Sequence, residues 1–195
     1  MGKNKGYVSE RELRERLIKL DNALDKFVLM AIYNGIVGKS KMSELTNLKK
    51  KAVDFENHVI KLADREVPMD KEFEEITRQA IEQKVYYPEV NSKFAKEEYE
   101  LNPASEYVLR VRANVLNKNG TAPVSYDALR SKVRNLSARI GLELSASQLE
   151  TSGIINKMLK EKSDWTVLDV ECWLRMNNIK VNAYRIYTII KDING

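Results

Sequence analysis

The residues best suited to chemistry in this chain are lysines in and after a short turn that contains glycine, because their charge could attract phosphate. Lys39 and Lys41 follow the glycines of that turn, and a run of three lysines covers 49–51. Lysine attracts phosphate as a point charge, whereas bidentate binding of phosphate requires arginine. His58 is the only histidine and Cys172 the only cysteine, which we expect to be a small buried side chain. These counts exclude a disulfide within the chain and a His-rich metal site, so we expect no metal and no other cofactor.

The composition is that of a globular protein with a moderate positive charge. Of the 195 residues, 43% are hydrophobic and 31% are charged, and the net charge is +5. This length allows one well-cored domain, so we expect a single domain over 1–195, with 1–6 flexible. No run is long and apolar enough to span a bilayer, and no secretory signal is present. We therefore expect no membrane partner and a cytoplasmic location. The charge is compatible with a nucleic-acid partner, although many proteins that bind no nucleic acid share it.

Hydrophobic periodicity predicts a mainly α-helical chain with one small β-hairpin, an α+β class. An apolar helix over 27–33 is followed by a short helix, a strand over 58–62, a tight turn and a second strand. Further helices are predicted at 165–176 and 182–193. Four more helices begin at capping residues, which are Ser9, Asp70, Ser125 and Ser145. We also predict a partly ordered surface loop over 86–105. Alternating apolar residues predict a strand over 106–116, with a helix as the alternative.

Two motifs connect these elements to a known family. The segment Ser43 to Leu48 reads S-E-L-T-N-L, and the hairpin from Arg65 to Pro68 reads R-E-V-P. Both resemble the catalytic domain of tyrosine recombinases, the phage-integrase family. The resemblance implies a tyrosine-recombinase-like fold and double-stranded DNA as the partner, and Lys61 is the nearest candidate for the lysine of that family's hairpin. Nothing in the chain resembles the separate core-binding domain that precedes this fold in the family, so either the chain is a fragment of a longer protein or the protein has lost that domain.

Most positions at which the resemblance implies catalytic side chains carry other residues. The two arginine positions hold Lys41 and Glu150, and the two histidine positions hold Ser147 and Met176. A lysine retains the charge of an arginine, but a carboxylate at position 150 would repel the phosphate. Loss of a single donor of this kind already lowers rates roughly 10²–10³-fold. We therefore expect no enzymatic activity.

The nucleophile of the family is a tyrosine, and the resemblance places it near Tyr184 or Tyr187. We expect both side chains to be packing residues of the last helix. A divergent active recombinase that uses Tyr184 or Tyr187 is the alternative. In the family the last helix often docks on a neighbouring subunit. Four isoleucines of this helix could therefore support a homo-oligomer, or could close the domain's own core: Ile186, Ile189, Ile190 and Ile193.

The predicted helix over 125–141 combines an apolar stripe with a polar face suited to duplex DNA. The stripe consists of Leu129, Val133, Leu136 and Ile140. Arg134 and Asn135 point away from that stripe, while Arg130, Lys132 and Arg139 lie on its flanks. In recombinases the corresponding helix docks in the major groove, where flanking cations meet phosphates and central residues face base edges. The predicted DNA-binding residues are Lys39, Lys41, Arg130, Lys132, Arg134, Asn135 and Arg139.

The combined expectation is a sequence-specific DNA-binding protein with a catalytically inactive recombinase fold that acts as a transcriptional regulator. Temperate phages of the SPβ group have recombinase-like repressors of this description, and the chain resembles them. That resemblance implies a bacterial cytoplasm and a place on the nucleoid. Two alternatives stay open: the divergent active recombinase, and a protein-interaction module that has lost DNA binding.

Overall fold

The computed structural model describes residues 6–88 and 98–195 of the chain. Within these ranges the chain forms eight α-helices, five short strands and two 3-10 turns. The helices are α1 Glu10–Leu17, α2 Ala23–Tyr33, α3 Ser43–Thr46, α4 Lys71–Glu82, α5 Tyr126–Arg139, α6 Ala146–Glu161, α7 Val167–Met176 and α8 Ala183–Asn194. The strands are β1 Val53–Asp54, β2 Val59–Lys61, β3 Glu66–Pro68, β4 Val85–Tyr86 and β5 Tyr99–Glu100. The predicted mainly helical α+β class is confirmed. The predicted flexibility of 1–6 falls mostly on 1–5, which lie outside the described residues.

The four helices predicted from capping residues, α1, α4, α5 and α6, begin directly after those residues. Ser9 accepts a hydrogen bond from the backbone N–H of Glu12, and Asp70 accepts one from that of Phe73 at 2.9 Å. Ser125 caps α5 in the same way, and Ser145 forms a reciprocal capping box with Gln148. Each cap satisfies a backbone donor that the first helical turn leaves without a partner, so these starts are encoded locally.

The predicted hairpin is formed by β2 and β3. Ile60 pairs with Val67, and the N–H of Leu62 donates to the carbonyl of Arg65 at 2.8 Å, which closes the tight turn. β1 pairs with the outer edge of β2 and completes a three-stranded antiparallel sheet. Both motif segments of the sequence therefore lie on defined elements, α3 and this hairpin.

The predicted strand over 106–116 is wrong. Within this stretch the structure has only isolated bridges, at Tyr107 and Arg112, followed by a 3-10 turn over Val115–Gly120. Arg110 explains why no strand forms. Its side chain is buried and donates to the carbonyls of Ala80 and Ile81 at 2.8 and 3.0 Å. The segment therefore crosses the interior to bind the C-terminal carbonyls of α4, instead of alternating between core and solvent.

The predicted loop over 86–105 is ordered at both of its ends. β4 and β5 pair there in antiparallel fashion, with Tyr86 opposite Tyr99 and their rings stacked at 5.2 Å. Residues 89–97, in the middle of that prediction, lie outside the described part of the chain.

The interior consists of two hydrophobic clusters joined by α6. The larger cluster surrounds α2, and Leu149 of α6 belongs to it. The smaller cluster packs α6, α7 and α8 together and contains Ile155, Ile186 and Ile190. Ile189 and Ile193 also pack against it. The isoleucines of the last helix thus close a core within this chain, which was the second of the two predicted options.

α6 approaches α2 very closely at Gly153. A Cβ at Gly153 would lie 1.7 Å from the carbonyl oxygen of Tyr33, so α2 and α6 meet backbone to backbone at this glycine.

On α7, Val170 and Leu174 are buried and Cys172 is exposed. The prediction of a buried Cys172 is wrong, because at ~100° per residue Cys172 lies opposite that inward face. Among the described residues, no helix has the length and apolar character needed to cross a bilayer.

Candidate functional site

Arg65, at the hairpin turn, is the centre of the site that the two motif segments form. Its guanidinium donates to both carboxylate oxygens of Glu44, at 2.9 and 2.7 Å, and to the carbonyl of Gly35 at 2.8 Å. Asp64 accepts another bond at 2.9 Å. The hydrogen bond to Glu44 raises the pKa of Arg65 further above its ordinary value. One side chain thus connects the end of α2, the start of α3 and the hairpin.

Glu150, on α6, lies beside this pair. It is half-buried, and burial raises the pKa of its carboxyl. The Glu44 carboxylate raises that pKa as well, while Arg65 opposes the rise. The structure therefore brings together one residue from each of the two motif segments, Glu44 and Arg65, and Glu150, which the resemblance had aligned with a catalytic arginine. Three carboxylates around one guanidinium, those of Glu44, Asp64 and Glu150, leave no net positive charge for a phosphate to bind.

Lys39 and Lys41 lie in the turn beside this pocket, and both side chains are exposed. Lys41 and Met42 have φ values of 51° and 50°, in the left-handed region that non-glycine residues rarely adopt. This backbone buries Met42 while it directs Lys41 into solvent. Gly38 is required in the same turn, since its φ is +87° and a Cβ there would lie 2.6 Å from Ser43 Oγ. Neither lysine has a side-chain hydrogen bond or an ion pair within the described ranges.

The remaining positions aligned with the recombinase site are dispersed. Ser147 is exposed on the first turn of α6, and Met176 is exposed at the end of α7. Tyr187 packs against the smaller cluster, as predicted, but Tyr184 is 68% exposed and its predicted packing role is wrong. Tyr184 lies two residues before the buried Ile186, and therefore on the outward side of α8.

Lys61, the candidate hairpin lysine, has a partner in the sheet. Its ammonium lies 2.7 Å from the carboxylate of Asp54, across the β1–β2 pair. The hydrogen bond to Asp54 raises the pKa of Lys61. The ammonium is thus engaged on the neighbouring strand instead of standing free.

α5 presents the surface that its periodicity predicted. Its apolar stripe is buried, and Arg130, Arg134 and Asn135 are exposed on the other side. None of these three side chains forms a hydrogen bond or ion pair with another described residue. Arg139, in contrast, lies 2.9 Å from the carboxylate of Asp21, on the loop between α1 and α2. α5 therefore carries two kinds of cation, free ones on its outer face and tethered ones at its edges.

Lys132 belongs to an internal network that the sequence reasoning missed. Its ammonium lies 2.5 Å from Asp25, a carboxylate of α2 that is only 1% exposed. Tyr86 donates to the same carboxylate at 2.9 Å, and its ring lies 4.3 Å from the ammonium. Asn22 also donates to Asp25. The available signal was an aspartate in the first turn of the apolar helix α2, because a buried carboxylate needs a cation or hydrogen-bond donors to compensate it.

One known protein family matches nearly the whole length of the chain. A family model described as "MrpR, C-terminal catalytic domain" matches residues 7–186. No curated protein sequence matches the chain. The match covers both motif segments, α5 and the start of α8, and it confirms the predicted resemblance to recombinases. The chain therefore belongs to the MrpR C-terminal catalytic domain family, a family with a tyrosine-recombinase-like catalytic domain.

Proposed function

We propose that this chain binds double-stranded DNA sequence-specifically as a transcriptional regulator and does not cut or join it. The observation that carries the proposal is the outer face of α5. Arg130, Arg134 and Asn135 are exposed there without partners among the described residues. Side chains of this kind, on a helix whose opposite face is anchored in a core, are suited to insertion in a major groove.

The DNA-facing residues have distinct proposed roles. Arg134 and Asn135 contact base edges, since both are long enough to offer paired hydrogen bonds to a base. Arg130 and Arg139 bind phosphates on either side, and Arg139 releases the exposed Asp21 to do so. Lys39 and Lys41 add a second phosphate contact beside the Arg65 pocket.

Lys132 has a different proposed role, which is to hold α5 against α2. To reach a phosphate its ammonium would have to leave Asp25 buried and without its cation. Separation of a buried pair in this way costs about 3–5 kcal/mol. One phosphate contact does not offset such a cost.

The absence of phosphoryl transfer is proposed from the charges of the pocket. Glu150 lies where the resemblance implies an arginine. Both terminal nitrogens of the Arg65 guanidinium already donate hydrogen bonds to the Glu44 carboxylate. A phosphate brought into this pocket would therefore meet carboxylates. A protein that holds its target without cutting it is suited to block a promoter, and we extend the proposal to a repressor of temperate-phage type that acts on the bacterial nucleoid.

The experiment is selection of bound duplexes from a random pool, followed by binding of the selected and of random DNA across a salt series. We expect a sequence preference and affinity that falls as salt rises. Arg134→Ala should cost about 1–3 kcal/mol on the selected site and less on random DNA, whereas Arg130→Ala should weaken both similarly. If the protein binds neither the selected nor the random duplexes, the proposal is refuted and the protein-interaction alternative is favoured.

The second candidate function is the divergent recombinase. The exposure of Tyr184 favours it, because a nucleophilic tyrosine has to reach the DNA. A nicked suicide substrate distinguishes the two, because an attacking tyrosine stays covalently attached to it. We expect no adduct. An adduct that Tyr184→Phe or Tyr187→Phe abolishes would instead establish recombinase chemistry.

A further inference from the structure

One face of α7 is apolar and exposed. Leu168, Cys172 and Met176 are spaced four residues apart, so they lie within an arc of about 80° on one side of the helix. Leu168 is 67% exposed, Met176 is 84% exposed, and Cys172 between them is exposed as well. The buried Val170 and Leu174 lie about 160° and 200° from Cys172. This stripe is therefore the outward side of α7, directly opposite the side that closes the smaller cluster.

The same face carries two charges without partners. Glu171 and Arg175 are exposed on one flank of the stripe, about 100° and 60° from Cys172. They are four residues apart, a spacing that often gives an ion pair within a helix. Within the described part of the chain, however, neither has an ion pair or a side-chain hydrogen bond.

We propose that this stripe binds the same stripe of a second copy of the chain, with the two α7 helices antiparallel and a two-fold axis beside Cys172. Leu168 of each copy then packs against Met176 of the other, and the two Cys172 side chains meet at the axis. Such an interface is self-complementary, as a two-fold dimer requires.

The charges determine the antiparallel direction. The rise along a helix is about 1.5 Å per residue. Measured along the helix from the two-fold axis, Arg175 of one copy therefore lies at about 4.5 Å and Glu171 of the second copy at about 1.5 Å in the same direction. The two-fold axis keeps both on the same side of the interface, so two symmetric ion pairs form. A parallel pair of helices would place the charged flanks on opposite sides and leave all four charges unpaired.

The size of the stripe limits the strength of the dimer. α7 has ten residues and is about 15 Å long, which is too short to bury the roughly 1,200–2,000 Å² of a stable interface. We therefore expect a weak dimer of the free protein, populated at high concentration. Any surface that holds two copies side by side would raise the occupancy of the dimer through effective concentration. The pairing itself does not depend on DNA binding.

Cys172 makes the proposal testable, since it is the only cysteine of the chain. Packed helices lie about 8–10 Å apart, and each Cα lies about 2.3 Å from its helix axis. Facing Cα atoms are therefore about 3.4–5.4 Å apart, a range that overlaps the roughly 4.4–6.8 Å of a disulfide. Diamide removes one hydrogen from each of two thiols, is itself reduced to the hydrazine, and leaves one disulfide between the copies.

The experiment measures the rate of diamide-induced covalent dimer on the full chain at high concentration. We expect Leu168→Glu and Met176→Glu each to slow the reaction about tenfold, a factor that corresponds to about 1.4 kcal/mol. Ile18→Glu is the matched control, because Ile18 is 80% exposed but lies at the end of α1. Its rate should equal that of the wild type.

Charge reversal provides a second readout that does not depend on hydrophobicity. Glu171→Arg should slow the cross-linking, and the double variant Glu171→Arg with Arg175→Glu should restore it. Sedimentation of Cys172→Ser under reducing conditions should show the same reversible dimer without any covalent bond. Equal cross-linking rates in the wild type and the Leu168→Glu variant would indicate random collision and overturn the proposal. A failure of the double variant to restore the rate would overturn the antiparallel arrangement.

Discussion

Replacement of Lys132 by methionine separates a structural from a DNA-binding role for the middle of α5. Methionine retains most of the aliphatic length of lysine but removes the ammonium that lies 2.5 Å from Asp25. Asp25 is 1% exposed and Lys132 is 29% exposed, so most of this pair lies out of water. We therefore expect a large loss of stability and little specific loss of DNA affinity.

The magnitude follows from what the variant leaves behind. Loss of one partner of a buried pair costs about 3–5 kcal/mol, because the other charge stays buried without compensation. Tyr86 and Asn22 still donate to the Asp25 carboxylate, so we expect the low end, about 3 kcal/mol. For a chain of this length, this loss corresponds to a fall in Tm of about 6–12 °C.

The assay is urea unfolding of each variant, with DNA binding measured where the variant is folded. Arg130→Met is the matched control: Arg130 lies on the same helix, two residues earlier, and is exposed without an ion pair to any described residue. We expect it to change the free energy of unfolding by less than about 0.5 kcal/mol while it weakens DNA binding.

A double-mutant cycle completes the test. Asp25→Asn combined with Lys132→Met should cost less than the sum of the single changes, since each removes the charge that the other left uncompensated. If Lys132→Met leaves the unfolding midpoint unchanged and weakens DNA binding as Arg130→Met does, the ion pair is not structural and our assignment of Lys132 is refuted.

Three further outcomes are expected from other parts of the fold. Gly153→Ala should lower the free energy of unfolding by about 1–3 kcal/mol or more, because its Cβ would collide with the Tyr33 carbonyl; an unchanged urea midpoint would contradict this close approach. Burial alone would raise the pKa of Glu10, but hydrogen bonds from Lys160 and Arg14 outweigh it and lower the pKa to about 2. Glu10 should therefore contribute up to about 3 kcal/mol above pH 4.5, lost as the pH falls towards 2, and Glu10→Gln should flatten that part of a stability–pH profile. For Glu150 the sign is opposite: its raised pKa favours folding at low pH, so Glu150→Gln should be stabilising at neutral pH, with the gain disappearing in acid.

The parts of the fold that the sequence predicts well are those with local physical causes. A cap such as Ser145 and its partner Gln148 are three residues apart, and the hairpin turn joins Leu62 to Arg65. Hydrophobic periodicity likewise identified the buried stripe of α5, because the spacing of a helix fixes which residues share a face.

The errors concern residues whose environment is set from far along the chain. Arg110 interrupts a strand pattern because its partners are the carbonyls at the end of α4, about thirty residues earlier. The Asp25–Lys132 pair joins two helices that no local signal connects. Cys172 and Tyr184 lie on the short helices α7 and α8. Packing in the smaller cluster decides which face of each helix points inward, so composition alone could not show that these two side chains are exposed.

The proposed division between binding and chemistry follows from where the charges are neutralised. In the pocket, Arg65 is bonded to Glu44 and faces Glu150, so its positive charge is neutralised internally. On the surface, Lys41 and Arg134 have no such partners in the described ranges. Affinity for a duplex requires cations that replace the counterions of phosphates, and exposed side chains are sufficient for this. Rate acceleration requires preorganised positive charge in a water-excluded site, which the carboxylates around Arg65 oppose. We therefore propose that a recombinase-like domain loses its chemistry through one half-buried carboxylate, Glu150, and still holds DNA with its surface.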